Sequence, residues 1–238
     1  MGDLEKQSVW IKYKSALWMD KYKEQKDNVS KTLDTFRAVR NLKHLIYVSM
    51  PITSGKYYYQ LLLEHPNIPK EMLGNLSRAH NYIVGLEFME TLKEALAHPI
   101  ILPADLYYPS WVQEHYQALW LGLIAEKCTE MRMTDGWEYS NGAVEEYTHA
   151  VQLGLGIPDY PDLITFASKK DEELQRERMR NIIIYDAHWN VMSVYDGINK
   201  INEAIQWLSN NGFKSTIQQE CKYKLQWALS RLQEGYYQ

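Results

Sequence analysis

One glutamate, Glu146, stands where a carboxylate could do chemistry. It belongs to the segment Thr134-Asp135-Gly136-Trp137-Glu138-Tyr139-Ser140-Asn141-Gly142-Ala143-Val144-Glu145-Glu146-Tyr147-Thr148-His149-Ala150, which follows an apolar run, passes a Gly/Ser/Asn turn and continues as a helical pattern. Ser140, Asn141 and Gly142 bring a hydroxyl, an amide and bare backbone to a helix N-terminus, a combination suited to a phosphate or a sugar hydroxyl. Glu146 follows one turn later. Its i−3 and i+4 neighbours, Ala143 and Ala150, are small, so its carboxylate can face a cleft. Glu145 meets His149 at i+4 and reads as a solvent-side pair. Taken alone, the segment is also an ordinary capped helix, with Ser-Asn-Gly as the cap and an early glutamate favouring the dipole.

Other chemistries lack their residues. There is no GxxxxGK(S/T) phosphate loop and no GxSxG elbow. Gly154-Leu155-Gly156 lacks a third glycine and reads as a helix C-cap rather than a dinucleotide fingerprint. The seven histidines are scattered without HxxxH or HExxH spacing, so no metal is expected, and no cofactor either.

The elements that must position Glu146 alternate between two periods. His44 to Pro51 is a short apolar, β-favouring run that predicts a buried strand, and Pro99 to Pro103 predicts a second, bracketed by prolines. Tyr82 to Ala97 has Val84, Phe88, Leu92 and Ala95 on one helical face; Trp111 to Lys127 is also helical. Glu130 to Thr134 predicts a third strand and Gly142 to Leu153 the helix that carries Glu146. Short strands alternating with helices imply a parallel sheet wrapped by helices, with ligands outside the carboxyl ends of the strands. The stretch from Tyr57 to Ala79, with Pro66, Pro69 and Gly74, reads as an insertion acting as a lid or interface loop.

This predicts a flavodoxin- or Rossmann-like α/β unit over residues 41–167, flanked by two helical additions. Residues 1–40 form an N-terminal extension with Val9, Trp10, Tyr13, Leu17 and Trp18 at helical spacing and a possible break at Asn28-Val29-Ser30. Residues 168–238 form a C-terminal appendage, in which Ile182, Tyr185, Trp189, Met192 and Tyr195 mark a long helix. That helix ends at Asn210-Asn211-Gly212, and Thr216 to Leu232 is a shorter one.

Composition narrows the partners. The 238 residues carry a net charge of −4 and no basic run, which argues against polymeric nucleic acid. The beginning has no apolar signal core, and the longest apolar stretch, near Ala118 to Ala125, is too short to span a bilayer. Two cysteines without CxxC spacing fit a reducing, cytoplasmic setting. Tyrosines (18) and tryptophans (8) outnumber phenylalanines (4), and aromatics with a polar edge suit interfaces and sugar or base pockets.

Three motifs, in order, resemble the nucleoside 2-deoxyribosyltransferase-like superfamily, especially a phage and bacterial branch of it. They are Ile46-Tyr47-Val48-Ser49-Met50-Pro51-Ile52-Thr53, Pro103-Ala104-Asp105-Leu106, and Gly136-Trp137-Glu138-x-Ser140-x-Gly142-Ala143-x-x-Glu146-x-x-x-Ala150-x-x-x-Gly154. The resemblance covers about residues 44 to 158. It implies that Glu146 attacks the anomeric carbon of a nucleoside or nucleotide, forming a glycosyl-enzyme that passes the sugar to water or to another base. It further implies that Ser140 helps bind a 5′-phosphate, with Trp137, Asn141 and Gly142 beside it. Tyr47, Ser49, Met50, Pro51, Ile52 and Thr53 would line the sugar and phosphate. Thr129 occupies the place of an aspartate that assists the leaving base, so that task is expected to fall to Asp105, Asp135 or Glu130, or to be lost.

The expected function is therefore N-glycosidic cleavage, by hydrolysis or base transfer, of a nucleoside 5′-monophosphate or nucleoside. The alternatives are a catalytically silent nucleotide-binding or assembly protein, and a glycohydrolase of NAD or a nucleotide signal in a defence setting. The tryptophans and tyrosines of the flanking parts, among them Trp10, Trp18, Trp189, Trp207, Trp227, Tyr236 and Tyr237, lead us to expect a homo-oligomer. Light scattering should then give a multiple of the 28.0 kDa chain mass, and a monomer at micromolar concentration would refute it.

Overall fold

Apolar runs closed by proline or by a polar turn become the strands of one parallel sheet. The computed structural model describes residues 28–38, 44–154 and 182–213, together with Gln226 and Ser230. Strand β1 is Leu45–Ser49, β2 Ile100–Ile101, β3 Cys128–Met133 and β4 Ile183–Tyr185. Their order in the sheet is β2-β1-β3-β4, every pairing parallel. Helix α1 spans 28–38, α2 Lys56–Glu64, α3 Lys70–Ala95, α4 Gln113–Lys127, α5 Asn141–Gly154 and α6 Val194–Asn210.

Strand alternation divides the core in two. Leu45 and Tyr47 share one face with Met131 and Met133. Against that face pack Val29 and Leu33 of α1, Leu119 and Leu123 of α4, Val144 and Tyr147 of α5, and Ile201 and Ile205 of α6. The other face carries Ile46 and Val48, with Met50 just beyond, against Met89 and Leu92 of α3. The apolar stretch Ala118 to Ala125 is the buried centre of α4, which explains its length without a membrane.

Residues expected to be additions are built into this core. Helix α1 buries Val29 and Leu33, and Arg37 forks onto both carboxylate oxygens of Glu126 in α4. The long helix expected from Ile182 onward is corrected. Ile183–Tyr185 is a strand, pairing Glu130, Met131 and Arg132 with Ile183, Ile184 and Tyr185. Two β-branched residues beside an aromatic favour a pleated surface, and the strand continues the sheet rather than leaving it. The helix begins only at Val194, behind a capping box in which Ser193 and Asp196 exchange backbone hydrogen bonds. Trp189 lies with its ring 5.0 Å from the Arg132 guanidinium, and Trp207 packs edge-on against Tyr139. Trp207 thus packs within the chain, whereas Trp189 remains 36% exposed. Trp10, Trp18, Trp227, Tyr236 and Tyr237 lie outside the described residues, as do most of the 1–40 extension and the expected helix from Thr216.

The supposed insertion from Tyr57 to Ala79 is also corrected. It is α2 and the first part of α3, joined by a short turn at His65 to Pro69. Pro69 sits at the N-cap of α3, where a missing N–H costs nothing. The proline marked a helix start rather than a loop.

Two glycines in helices meet opposite surroundings. A Cβ on Gly197 of α6 would lie 2.1 Å from the Tyr147 hydroxyl oxygen, whereas one on Gly74 of α3 would touch nothing within 4 Å. Gly197→Ala should therefore cost about 1–3 kcal/mol by forcing α6 off α5. Gly74→Ala should add roughly 0.5–1 kcal/mol, the ordinary helix preference. Urea unfolding of both variants checks the pair.

Candidate functional site

The connection leaving β1 through α2 and α3 goes to β2 on one side, and the next, through α4, crosses to β3 on the other. In an open parallel sheet this reversal opens a crevice at the carboxyl ends of the two strands concerned, here β1 and β3. Two loops bound it. Residues 50–55 follow β1, and residues 134–140 follow β3, tied to β1 by the Thr134 N–H donating to the Ser49 carbonyl at 3.1 Å. Each loop turns on a left-handed glycine, Gly55 at φ 102° and Gly136 at φ 77°.

Glu146 reaches into this crevice from α5. Tyr47 and Ser49 are two residues apart on β1 and so project from the same face. The Tyr47 hydroxyl donates to Glu146 Oε1 at 2.7 Å, and the Ser49 hydroxyl donates to Oε2 at 2.6 Å. Strand and helix are thus joined through the one carboxylate. Glu146 itself is half-buried, so the group is ringed by protein yet keeps contact with solvent. Burial pushes its pKa up to about 7; the Ser49 and Tyr47 hydrogen bonds oppose that rise, and the nearby charge of Glu145 adds to it. Tyr47 is 0% exposed, and burial followed by the Glu146 charge holds its hydroxyl well above the ordinary tyrosine range. It remains a donor at neutral pH.

Ser140 closes the second loop. Its carbonyl accepts from Val144 N–H at 2.9 Å, starting α5, and its buried hydroxyl lies 3.5 Å from that of Ser54 on the first loop. Asn141 and Gly142 are half-buried in the first turn of α5, and Asn141 Oδ1 has no hydrogen-bond partner among the described residues. Pro51 is buried, Ile52 half-buried and Thr53 exposed at the rim.

Two expected residues serve elsewhere, and the position of the missing aspartate lies away from the crevice. Trp137 is 2% exposed, and its ring packs against Tyr147 with centroids 4.7 Å apart, so it is core rather than ligand wall. Met50 is buried in a notch of α3, where a Cβ on Gly85 would come within 2.4 Å of its sulfur. Thr129 lies at the start of β3, roughly 13 Å from the carboxyl end at about 3.3 Å per residue, so a side chain there cannot reach the crevice. Of the other carboxyl groups, Glu130 is spent on Arg132 at 2.6 Å. Asp105 is exposed after β2 and accepts from the Tyr82 hydroxyl at 3.1 Å, and Asp135 is exposed after β3. Neither is hydrogen-bonded to Glu146.

One residue of the site escaped sequence reading. Asn81 of α3 donates from Nδ2 to the carbonyls of Ile52 and Ser54, at 3.1 and 2.8 Å. An asparagine inside a helix is its only signal, and the apolar pattern put the helix start one residue later.

Compared with known proteins, the chain matches no family model, no curated protein and no solved structure. Among the described residues, no helix is long and apolar enough to cross a membrane, and no cluster of three or more His, Cys, Asp or Glu could hold a metal ion.

The raised pKa of Glu146 has a consequence for stability. Its folded value of about 7 exceeds the ordinary value of 4.5, so between these the folded state holds more protons than the unfolded. Stability from this group is complete below the lower value and is lost as pH rises through the upper. Glu146→Gln removes the buried charge, and the variant should melt higher than the parent at about pH 8. The gain has a ceiling of about 3 kcal/mol, reduced by the group's solvent contact, and should vanish toward about pH 4.5. Thermal melts across that range check it.

Proposed function

We propose that this protein cleaves the N-glycosidic bond of a nucleoside 5′-monophosphate or nucleoside, with Glu146 as the nucleophile. The observation that carries the reading is a half-buried carboxylate held at both oxygens by Tyr47 and Ser49, at the crevice where the sheet changes direction. The motif resemblance of residues 46–53, 103–106 and 136–154 supports it.

An oxygen of Glu146 attacks C1′ of the sugar as the base departs with the bonding electrons. The ionised carboxylate stabilises the positive charge that develops on the sugar ring, and a glycosyl ester forms. Water then releases the sugar, or a second base takes it up. Tyr47 and Ser49 aim the carboxylate and take up the negative charge it regains when the ester breaks. The leaving base needs a proton. Asp105 and Asp135, on the loops after β2 and β3, are the carboxyl groups for that task. The hydroxyls of Ser54 and Ser140, with the first turn of α5, form a polar mouth for a 5′-phosphate. This favours a nucleotide over a nucleoside.

Wild-type protein incubated with a panel of nucleotides and nucleosides should release free base. Release of nicotinamide alone would instead make it an NAD glycohydrolase, and release of nothing a silent binding protein. Because attack needs the ionised carboxylate, kcat/KM should rise with pH through about 7. Glu146→Gln should lower turnover by several orders of magnitude, as loss of a covalent nucleophile does, and Glu145→Gln should do little. Ser140→Ala should weaken nucleotide binding by about 1–2 kcal/mol and leave nucleoside binding nearly unchanged. Equal losses for both ligands would refute the phosphate role.

A further inference from the structure

We propose that Asn81 is a positioning residue, which fixes the shape of loop 51–55 and thereby the substrate-binding half of the crevice. The inference rests on the reading of this crevice as a nucleotide N-glycosidase site. Asparagine is disfavoured inside helices because its amide competes for backbone hydrogen bonds. Asn81 nevertheless lies deep within α3, only 7% exposed, where a polar side chain must be satisfied. Both hydrogens of its amide go to one loop, to the carbonyls of Ile52 and Ser54. Two acceptors facing one side chain require an NH2 group, which neither a carboxylate nor a hydroxyl supplies.

The neighbouring turn of α3 grips the other end of the loop. Gly85, one turn beyond Asn81 on the same helix face, lets Met50 approach to a distance that any Cβ would forbid. The segment between is folded tightly on itself, since a Cβ on Gly55 would lie 2.6 Å from that of Pro51. Among the described residues, Asn81 supplies the only side-chain donors to the backbone of residues 51–55. The loop is held from beneath by α3, and its Ser54 hydroxyl faces Ser140.

The nucleophile has separate supports. Glu146, Tyr47 and Ser49 stand on α5 and β1, and the hydrogen bonds of Asn81 go to Ile52 and Ser54 rather than to any of them. Loss of the Asn81 donors should therefore loosen substrate binding without disturbing the attacking carboxylate. That split distinguishes a positioning role from a general loss of fold.

The test compares the wild-type full chain with Asn81→Asp, which keeps the shape but loses the donors, and with Asn81→Ala, which adds no charge. Steady-state kinetics on the nucleoside monophosphate and nucleoside panel should show KM raised about tenfold in both variants. The kcat should stay within about twofold, with the same pH midpoint. Amide hydrogen exchange, read without substrate, should quicken at least tenfold over residues 52–56 while β1 and α5 keep their protection. Unchanged KM with an active wild type would overturn the role of Asn81 and leave the glycosidase reading intact. Unchanged exchange over 52–56 would overturn the tether itself. If the wild type releases no base from any member of the panel, the glycosidase reading falls and the role assigned to Asn81 in it falls too, whatever the exchange shows. A fall in kcat equal to the rise in KM, with exchange quickened throughout the chain, would also overturn the proposal.

Discussion

A carboxylate shared between a strand and a helix is the constraint around which this molecule is arranged. Tyr47 and Ser49 rise from β1, Glu146 comes across from α5, and two hydrogen bonds below 2.8 Å lock the three together. Burying a carboxyl group costs free energy unless its oxygens are satisfied, and one hydroxyl on each oxygen offsets part of that cost. The arrangement requires β1 and α5 to keep their spacing, and the packing of the surrounding layers maintains it. Val144 and Tyr147 on the inner face of α5 seat that helix against α4 and α6, while α3 backs the other face of the sheet.

Burial and hydrogen bonding pull Glu146 in opposite directions, and burial is the larger effect. A fully solvated glutamate would be ionised at neutral pH but weakly driven to react. A sealed one would be neutral and inert. The half-buried position leaves the group poised between its two forms near neutrality.

Much of this was legible in the sequence because its signals are local. The run from His44 to Pro51, the proline-bracketed pair Ile100 and Ile101, and the small residues Ala143 and Ala150 around Glu146 each report on their own segment. The errors came from residues whose state is set by distant partners. Ile183–Tyr185 is too short to show a period, and only an open sheet edge at β3 makes it a strand. Trp137 looked like a ligand wall because it stands in the motif, yet the ring of Tyr147 claims it. Pro66 and Pro69 suggested a loop, but one proline caps a helix. Asn81 was invisible because its role depends on carbonyls about 30 residues away, which no spacing rule connects to it.

The close fit between Tyr147 and Gly197 also orders events in time. The Tyr147 hydroxyl, adjacent in sequence to Glu146, donates to the Ser193 carbonyl at 3.2 Å and fills the space a larger residue at 197 would need. During synthesis Glu146 leaves the ribosome about fifty residues before that seat exists, an interval of a few seconds at roughly 5–20 residues per second. Until then α5 has β1 on one side and nothing of α6 on the other. The Glu146 carboxylate therefore reaches its final setting only once residues 193–197 have emerged. A nascent chain stalled before residue 193 would carry every residue of the crevice and still lack its outer brace.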